Sequence, residues 1–184
     1  MTVSCPTTAA NPDTGAAQPI QTSVRPQEVP MSLEDPRRRS PDYYPLTFQY
    51  TPVFGDVDSY RHLNNVALGR LLEEGRAQLN RLTFAESGAG TPELHLASTT
   101  IDFLYPGAYP DPVVCATGVI RIGNTSFGIA QGLLQNARFL AVSESVMVKT
   151  IEGVPTEITD SERVGLRGLL VTAADAELPG GGPH

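Results

Sequence analysis

The sequence predicts an α+β domain, one antiparallel sheet of five strands wrapped around a single long helix, with a short helix at the C-terminal end. Three observations predict it. A strand-like run, Leu46–Val53, precedes a helix-like run from about Asn65 to Phe84, and four extended runs follow with no helix between them. The helical run carries Leu68, Leu71, Leu72, Gly75, Leu79 and Leu82 at helical spacing, so one apolar stripe faces a partner layer. All six tyrosines and six phenylalanines lie between Tyr43 and Phe139, which marks the part of the chain able to bury a core.

The elements follow in order. Residues 1–42 hold seven prolines and no aromatic residue, too little apolar surface to offset the entropy of ordering. They are expected to form a disordered, dispensable tail, with Arg37-Arg38-Arg39 as part of a solvated linker. In the first strand Phe48 and Tyr50 share one face. The loop Ser87–Pro92 follows the helix. The next strands are expected at Leu94–Leu104, Pro112–Ile122, Ser126–Asn136 and Arg138–Thr150, joined at turn signals such as Asp111-Pro112 and Gly123-Asn124. With no helix between them, these four are expected to form an antiparallel meander. Thr159-Asp160-Ser161-Glu162 has the pattern of a capping box opening a helix through Leu170. Residues 175–184 form a second tail, which leaves 43–174 as the domain.

Composition narrows the functional classes. The chain has 184 residues, which fits one domain plus tails. Its formal charge of −7, from 20 acids against 13 bases, argues against a nucleic-acid binder. Lys149 is the one lysine; every other base is arginine. No apolar run is long enough to span a bilayer and no secretory signal is apparent. Cys5 and Cys115 fall in a tail and a predicted strand, so a disulfide is not expected and the reading is cytoplasmic. No residue spacing matches a zinc site, and no cofactor is expected.

The densest chemistry lies in Val53-Phe54-Gly55-Asp56-Val57-Asp58-Ser59-Tyr60-Arg61-His62-Leu63-Asn64-Asn65. Two carboxylates, an imidazole and two amides sit between a strand and a helix start. Asp and Asn favour helix starts simply because they cap, and a lone histidine there is more often a surface residue. A helix start also presents unpaired N–H groups that polarise a carbonyl, and a carboxylate beside it is placed for acyl transfer. The pattern Asp-x-Asp-x-x-x-His-x-Asn-Asn before a long helix resembles the hotdog-fold acyl-CoA thioesterases, in particular the branch typified by 4-hydroxybenzoyl-CoA thioesterase. Tyr105-Pro106-Gly107 and Ile122-Gly123-Asn124-Thr125-Ser126-Phe127 resemble that family's turns. The resemblance covers about residues 45–170.

The resemblance implies an acyl-CoA or acyl-carrier thioester as substrate, hydrolysed by a carboxylate acting as nucleophile or general base. By position in the motif that acid is Asp58, with Asp56 the runner-up. It further implies the backbone N–H of Asn65 as the polarising donor, His62 and Asn64 lining the loop, and a homodimer or homotetramer with sites at the subunit boundary. Val66-Ala67-Leu68-Gly69-Arg70 is small and aliphatic where the family carries aromatic residues. Another hotdog branch keeps a catalytic glutamate on the helix. Here Glu73 and Glu74 lie about 150° and 110° from the leucine stripe and read as surface pairs with Arg76 and Arg70. Arg61, Arg121 and Arg138 are candidates for the phosphates of coenzyme A. Two other readings stay open: a non-catalytic thioester-binding domain of the same fold, and an enoyl-thioester hydratase. The hydratase loop has its acid and imidazole five apart, whereas Asp58 and His62 are four apart and Asp56 and His62 six.

Overall fold

The computed structural model describes residues 35–84 and 93–172. The expected loop Ser87–Pro92 and the expected tail 175–184 lie outside them. The elements are β1 (Leu46–Tyr50), α1 (Asn65–Phe84), β2 (Glu93–Phe103), β3 (Val113–Ile122), β4 (Ser126–Gln135), β5 (Arg138–Ile151), β6 (Val154–Pro155) and α2 (Asp160–Arg167). The strands form one antiparallel sheet in the order β1-β3-β4-β5-β2, and the two-residue β6 adds to β5. The expected four-strand meander is therefore only partly formed. β3, β4 and β5 follow one another, but β2 pairs with β5 and not with β3. The reason is that β1 occupies the free edge of β3. The stretch Leu104–Pro112 is long enough to carry the chain across to the other edge.

The leucine stripe does what its spacing predicts. Leu68, Leu71, Leu72 and Leu79 are buried with Val113, Cys115, Leu133 and Val119 in two clusters between α1 and the sheet. Leu82, the last member, stays exposed. Gly75 sits where the helix comes closest to the sheet. A Cβ there would lie 2.5 Å from Cys115 Sγ and 2.7 Å from Gln131 Nε2. Gln131 is fully buried and has little room to give: its Nε2 donates to Leu72 O at 2.9 Å and its Oε1 accepts from Arg76 Nη1 at 3.2 Å. Gly75→Ala should therefore destabilise the fold by about 1–3 kcal/mol despite alanine's better helix propensity, as overpacked cores do. Thermal unfolding checks this; a raised melting temperature would show that the interface yields.

The opposite face of the sheet is also covered, and here the expected tail boundary differs. Residues 1–34 lie outside the described residues. From Asp35 the chain forms two 3-10 turns, Pro36–Arg39 and Pro41–Tyr43. Tyr43 and Tyr44 pack edge to face, with ring centroids 5.1 Å apart, over Ala116, Ala130, Leu134, Phe139 and Val142. Arg38 is buried, and its Nη2 donates to Glu144 Oε2 at 2.5 Å. Sequence composition misses this docking because one buried arginine and one tyrosine pair carry it, not a run of apolar residues. Residues 35–42 thus belong to the folded unit.

The strand register defines two ends of the molecule. One end gathers the start of α1, the end of β2, and the β4–β5 turn at Asn136-Ala137. The other gathers the end of α1, the β3–β4 turn and α2. The capping box that opens α2 is present, with Thr159 and Glu162 accepting each other's backbone N–H groups.

Candidate active site

The loop between β1 and α1 is held by its own acids. Asp56 is buried; its carboxylate accepts from Val53 N at 2.9 Å and from Arg70 Nη2 at 3.0 Å to each oxygen, and its carbonyl accepts from Asn64 N at 2.8 Å. Arg70 is therefore engaged with Asp56 and not with Glu74, and Arg76 turns inward to Gln131 and not outward to Glu73. Those expected surface pairs are replaced because both arginines reach a buried partner that helix spacing does not reveal. Glu73 and Glu74 themselves are exposed, off the buried face, as their angles predict.

Asp58 is half-buried and differently occupied. Its Oδ1 accepts from Tyr60 N at 2.8 Å and His62 N at 3.0 Å, and its backbone N donates to His62 O at 2.8 Å. This closes a tight turn that puts Arg61 at φ 66. Among the described residues no donor reaches Oδ2. The second oxygen is thus free for chemistry while the first fixes the orientation of the group.

The helix start is built beside this turn. Asn64 Oδ1 accepts from Ala67 N at 2.7 Å and its carbonyl accepts from Leu68 N at 3.1 Å, so Asn64 caps α1. Asn65 is the first helical residue. Among the described residues the N–H groups of Asn65 and Val66 have no acceptor, as the first turn of a helix leaves them. His62 meets Asp58 through its backbone only, and its side chain is exposed.

Two neighbours fix the loop in space, Gly107 in the turn already singled out and Gln135, whose role sequence reasoning missed. Leu63 is buried and donates its N–H to Gly107 O at 2.9 Å. A Cβ on Gly107 would come within 2.9 Å of Leu63 Cδ1 and 2.8 Å of Leu140 Cδ1, so glycine lets the two segments meet without moving either leucine side chain. Gln135 then holds the segment that follows: it donates to Ala108 O and Asp111 O and accepts from Ala108 N, each at 2.8 Å. No local pattern marks a strand-end glutamine for that role. An apolar rim surrounds the site: Phe54 and Tyr60 are each 79% exposed and Val66 83%, and Phe54 meets Tyr109 edge to face at 6.2 Å.

Of the candidate arginines, Arg61 is in the loop and Arg138 at the same end of the molecule, the first residue of β5 after the β4–β5 turn. Arg121 is opposite Gly128 near the other end of β3, seven residues from Val114, which is roughly 23 Å along the strand. It does not join the others within one chain. Among the described residues no three His, Cys, Asp or Glu side chains are grouped as a metal site, and no helix is long and apolar enough to cross a membrane.

No family model and no curated protein matches the chain. Solved structures do. A predicted thioesterase from Bacillus stearothermophilus matches at 29% identity and a TM-score of 0.63, over 68% of this chain and 96% of that one. A thioesterase from Thermus thermophilus, complexed with coenzyme A and Zn, matches at 20% identity and 0.62, over 67% and 98%. A gentisyl-coenzyme A thioesterase matches at 18% and 0.56, over 66% and 99%. The fold is a hotdog. The neighbours are covered almost end to end, so what this chain adds lies outside the shared domain.

Proposed function

We propose that this chain is an acyl-CoA thioesterase of the branch that carries its acid just before the central helix, as 4-hydroxybenzoyl-CoA thioesterase does. The single observation that carries the reading is the division of labour on Asp58. One carboxylate oxygen is spent on two backbone N–H groups, and among the described residues the other has no donor and lies in the loop that leads into a helix start whose first two N–H groups are unpaired. A thioester carbonyl seated there would meet donors for its developing oxyanion and a carboxylate able to attack it or to deprotonate a water. Asp56 supplies neither, because Arg70 and Val53 already use both of its oxygens. Asn64 supports the site by capping, and Asn65 by its backbone.

The decisive experiment measures free thiol released from a panel of aliphatic and aromatic acyl-CoAs. Release supports hydrolysis. Loss of enoyl absorbance without thiol would mean a hydratase, and binding without either would mean a thioester-binding domain.

The reading includes a second copy. β2 is an edge strand exposed along nearly its whole length, including Leu96 and Phe103. α1 packs chiefly on β3 and β4, and among the described residues no strand pairs with the outer edge of β2. A strand edge of eleven residues with no partner among the described residues invites pairing with another. Light scattering at micromolar concentration is expected to give at least a dimer; a monodisperse monomer would refute it.

A further inference from the structure

The three arginines of the segment before β1 take three different roles. Arg37 pairs with Asp35 at 2.7 Å, and Arg38 is buried on Glu144. Arg39 instead lines a cavity of about 470 Å³ with Leu104, Tyr105, Ala137, Arg138 and Phe139. Arg138 opens β5 directly after the β4–β5 turn, whose two residues Asn136 and Ala137 have φ of 51° and 61°. Its guanidinium lies 4.8 Å from the Tyr105 ring centroid, a cation–π contact that fixes its plane. Among the described residues neither Arg39 nor Arg138 forms an ion pair. In a chain of net charge −7, two exposed guanidiniums without an ion-pair partner among the described residues, lining one open cavity of mixed polar and apolar walls, make a local site for an anion.

We infer that this cavity binds a phosphate group of the thioester carrier, and that the segment 35–39, held down by the Arg38–Glu144 pair, is a working part of the substrate site. The inference rests on the thioesterase reading for its ligand. The cavity is joined to the loop that carries Asp58 by a short stretch of chain at the same end of the molecule. Tyr105 is in its wall, and three residues on, Ala108 bridges His62 in the Asp58 loop. Three residues span at most about 10 Å, so the cavity wall at Tyr105 and the contact with the Asp58 loop at Ala108 stay close. A carrier with its phosphate between Arg39 and Arg138 can therefore extend its thioester toward Asp58. The phosphate could be that of a nucleotide coenzyme or of a carrier protein's phosphopantetheine; the chemistry at the arginines is the same.

The test uses ligands without a thioester, so it does not depend on hydrolysis. Adenosine 3′,5′-bisphosphate and 4′-phosphopantetheine are titrated calorimetrically into the full chain and into Arg39→Gln, Arg138→Gln and the double variant, with folding checked by circular dichroism. Binding by wild type is expected, weakened about tenfold by each substitution, nearly lost in the double variant, and reduced by added salt. Preference for the bisphosphate points to the coenzyme and preference for phosphopantetheine to a carrier protein. In turnover assays Arg39→Gln should raise KM and leave kcat nearly unchanged. If wild type binds neither probe, or the double variant binds as well as wild type, the inference is wrong even where thiol is released. Arginine-dependent binding without thiol release from any acyl-CoA would keep the phosphate site and overturn the hydrolase reading instead.

Discussion

Asp58→Asn is expected to lower turnover of an acyl-CoA by roughly two to four orders of magnitude, the cost of removing a general base or nucleophile, while leaving the fold intact. The substitution separates the two duties of the side chain. An asparagine Oδ1 still accepts from the N–H groups of Tyr60 and His62, so the turn can close as before. What disappears is the charge and the reactive second oxygen. Substrate affinity should change little, because the space stays filled. Asp56→Asn is the informative contrast. It weakens a pair with Arg70, whose side chain is half exposed, so the stability loss should be small and the activity loss smaller than at Asp58. Glu73→Gln should be close to neutral. The measurement is steady-state thiol release by all three variants on one substrate. If Asp58→Asn keeps most activity while Glu73→Gln loses it, the acid is on the helix and the site is misassigned.

The contrast also shows which parts of the site are legible in the sequence. The Asp-x-Asp loop, the helix start and the capping asparagine are local: residues within a few positions of one another satisfy each other, and spacing reveals that. The distinction between Asp56 and Asp58 is not local. It depends on Arg70, fourteen residues away along the chain, reaching back to one acid and not the other. Nearest-neighbour helix rules pair Arg70 with Glu74, because they see only the helix. Gln135 is harder still. It lies twenty-seven residues from Ala108, and only the packing of the β4–β5 end against the β2–β3 connection brings them together.

The fold divides in the same way. The strand runs, the leucine stripe and the terminal capping box follow from periodicity and turn chemistry, which act over a few residues. The strand order does not, because exchanging one edge for the other leaves every local pattern unchanged. Docking of residues 35–42 is hidden for a different reason. Proline-rich composition argues for disorder on average, but Arg38 finds a buried carboxylate on β5 and Tyr43 and Tyr44 find an apolar face. The composition argument concerns a whole segment, whereas the docking belongs to its last eight residues.

The second large effect is expected at Lys149, the chain's single lysine. It is 5% exposed, and its Nζ donates to Glu162 Oε2 at 2.7 Å and to Glu157 O at 2.9 Å. Glu162 is equally buried, and the same Oε2 accepts from Thr159 N at 2.7 Å to close the capping box of α2. The lysine therefore ties β5 to the start of the last helix. Lys149→Met removes the cation and leaves a buried carboxylate with Thr159 as its remaining partner, which should cost about 3–5 kcal/mol. Burial alone would raise the Glu162 carboxyl; the Lys149 ammonium and the Thr159 N–H override it, and the group is held below its ordinary 4.5. A depressed folded value means that this stabilisation is fully present above pH 4.5 and is lost as pH falls through the folded value. The difference in unfolding free energy between wild type and Lys149→Met should accordingly be largest near neutral pH and shrink in acid. Lys149→Met combined with Glu162→Gln should recover part of the loss, since no uncompensated charge remains buried. Denaturant unfolding of the three proteins at pH 7 and pH 4 tests the argument. A constant difference across that range, or a double variant as unstable as Lys149→Met alone, would mean that the lysine acts through packing and not through its charge.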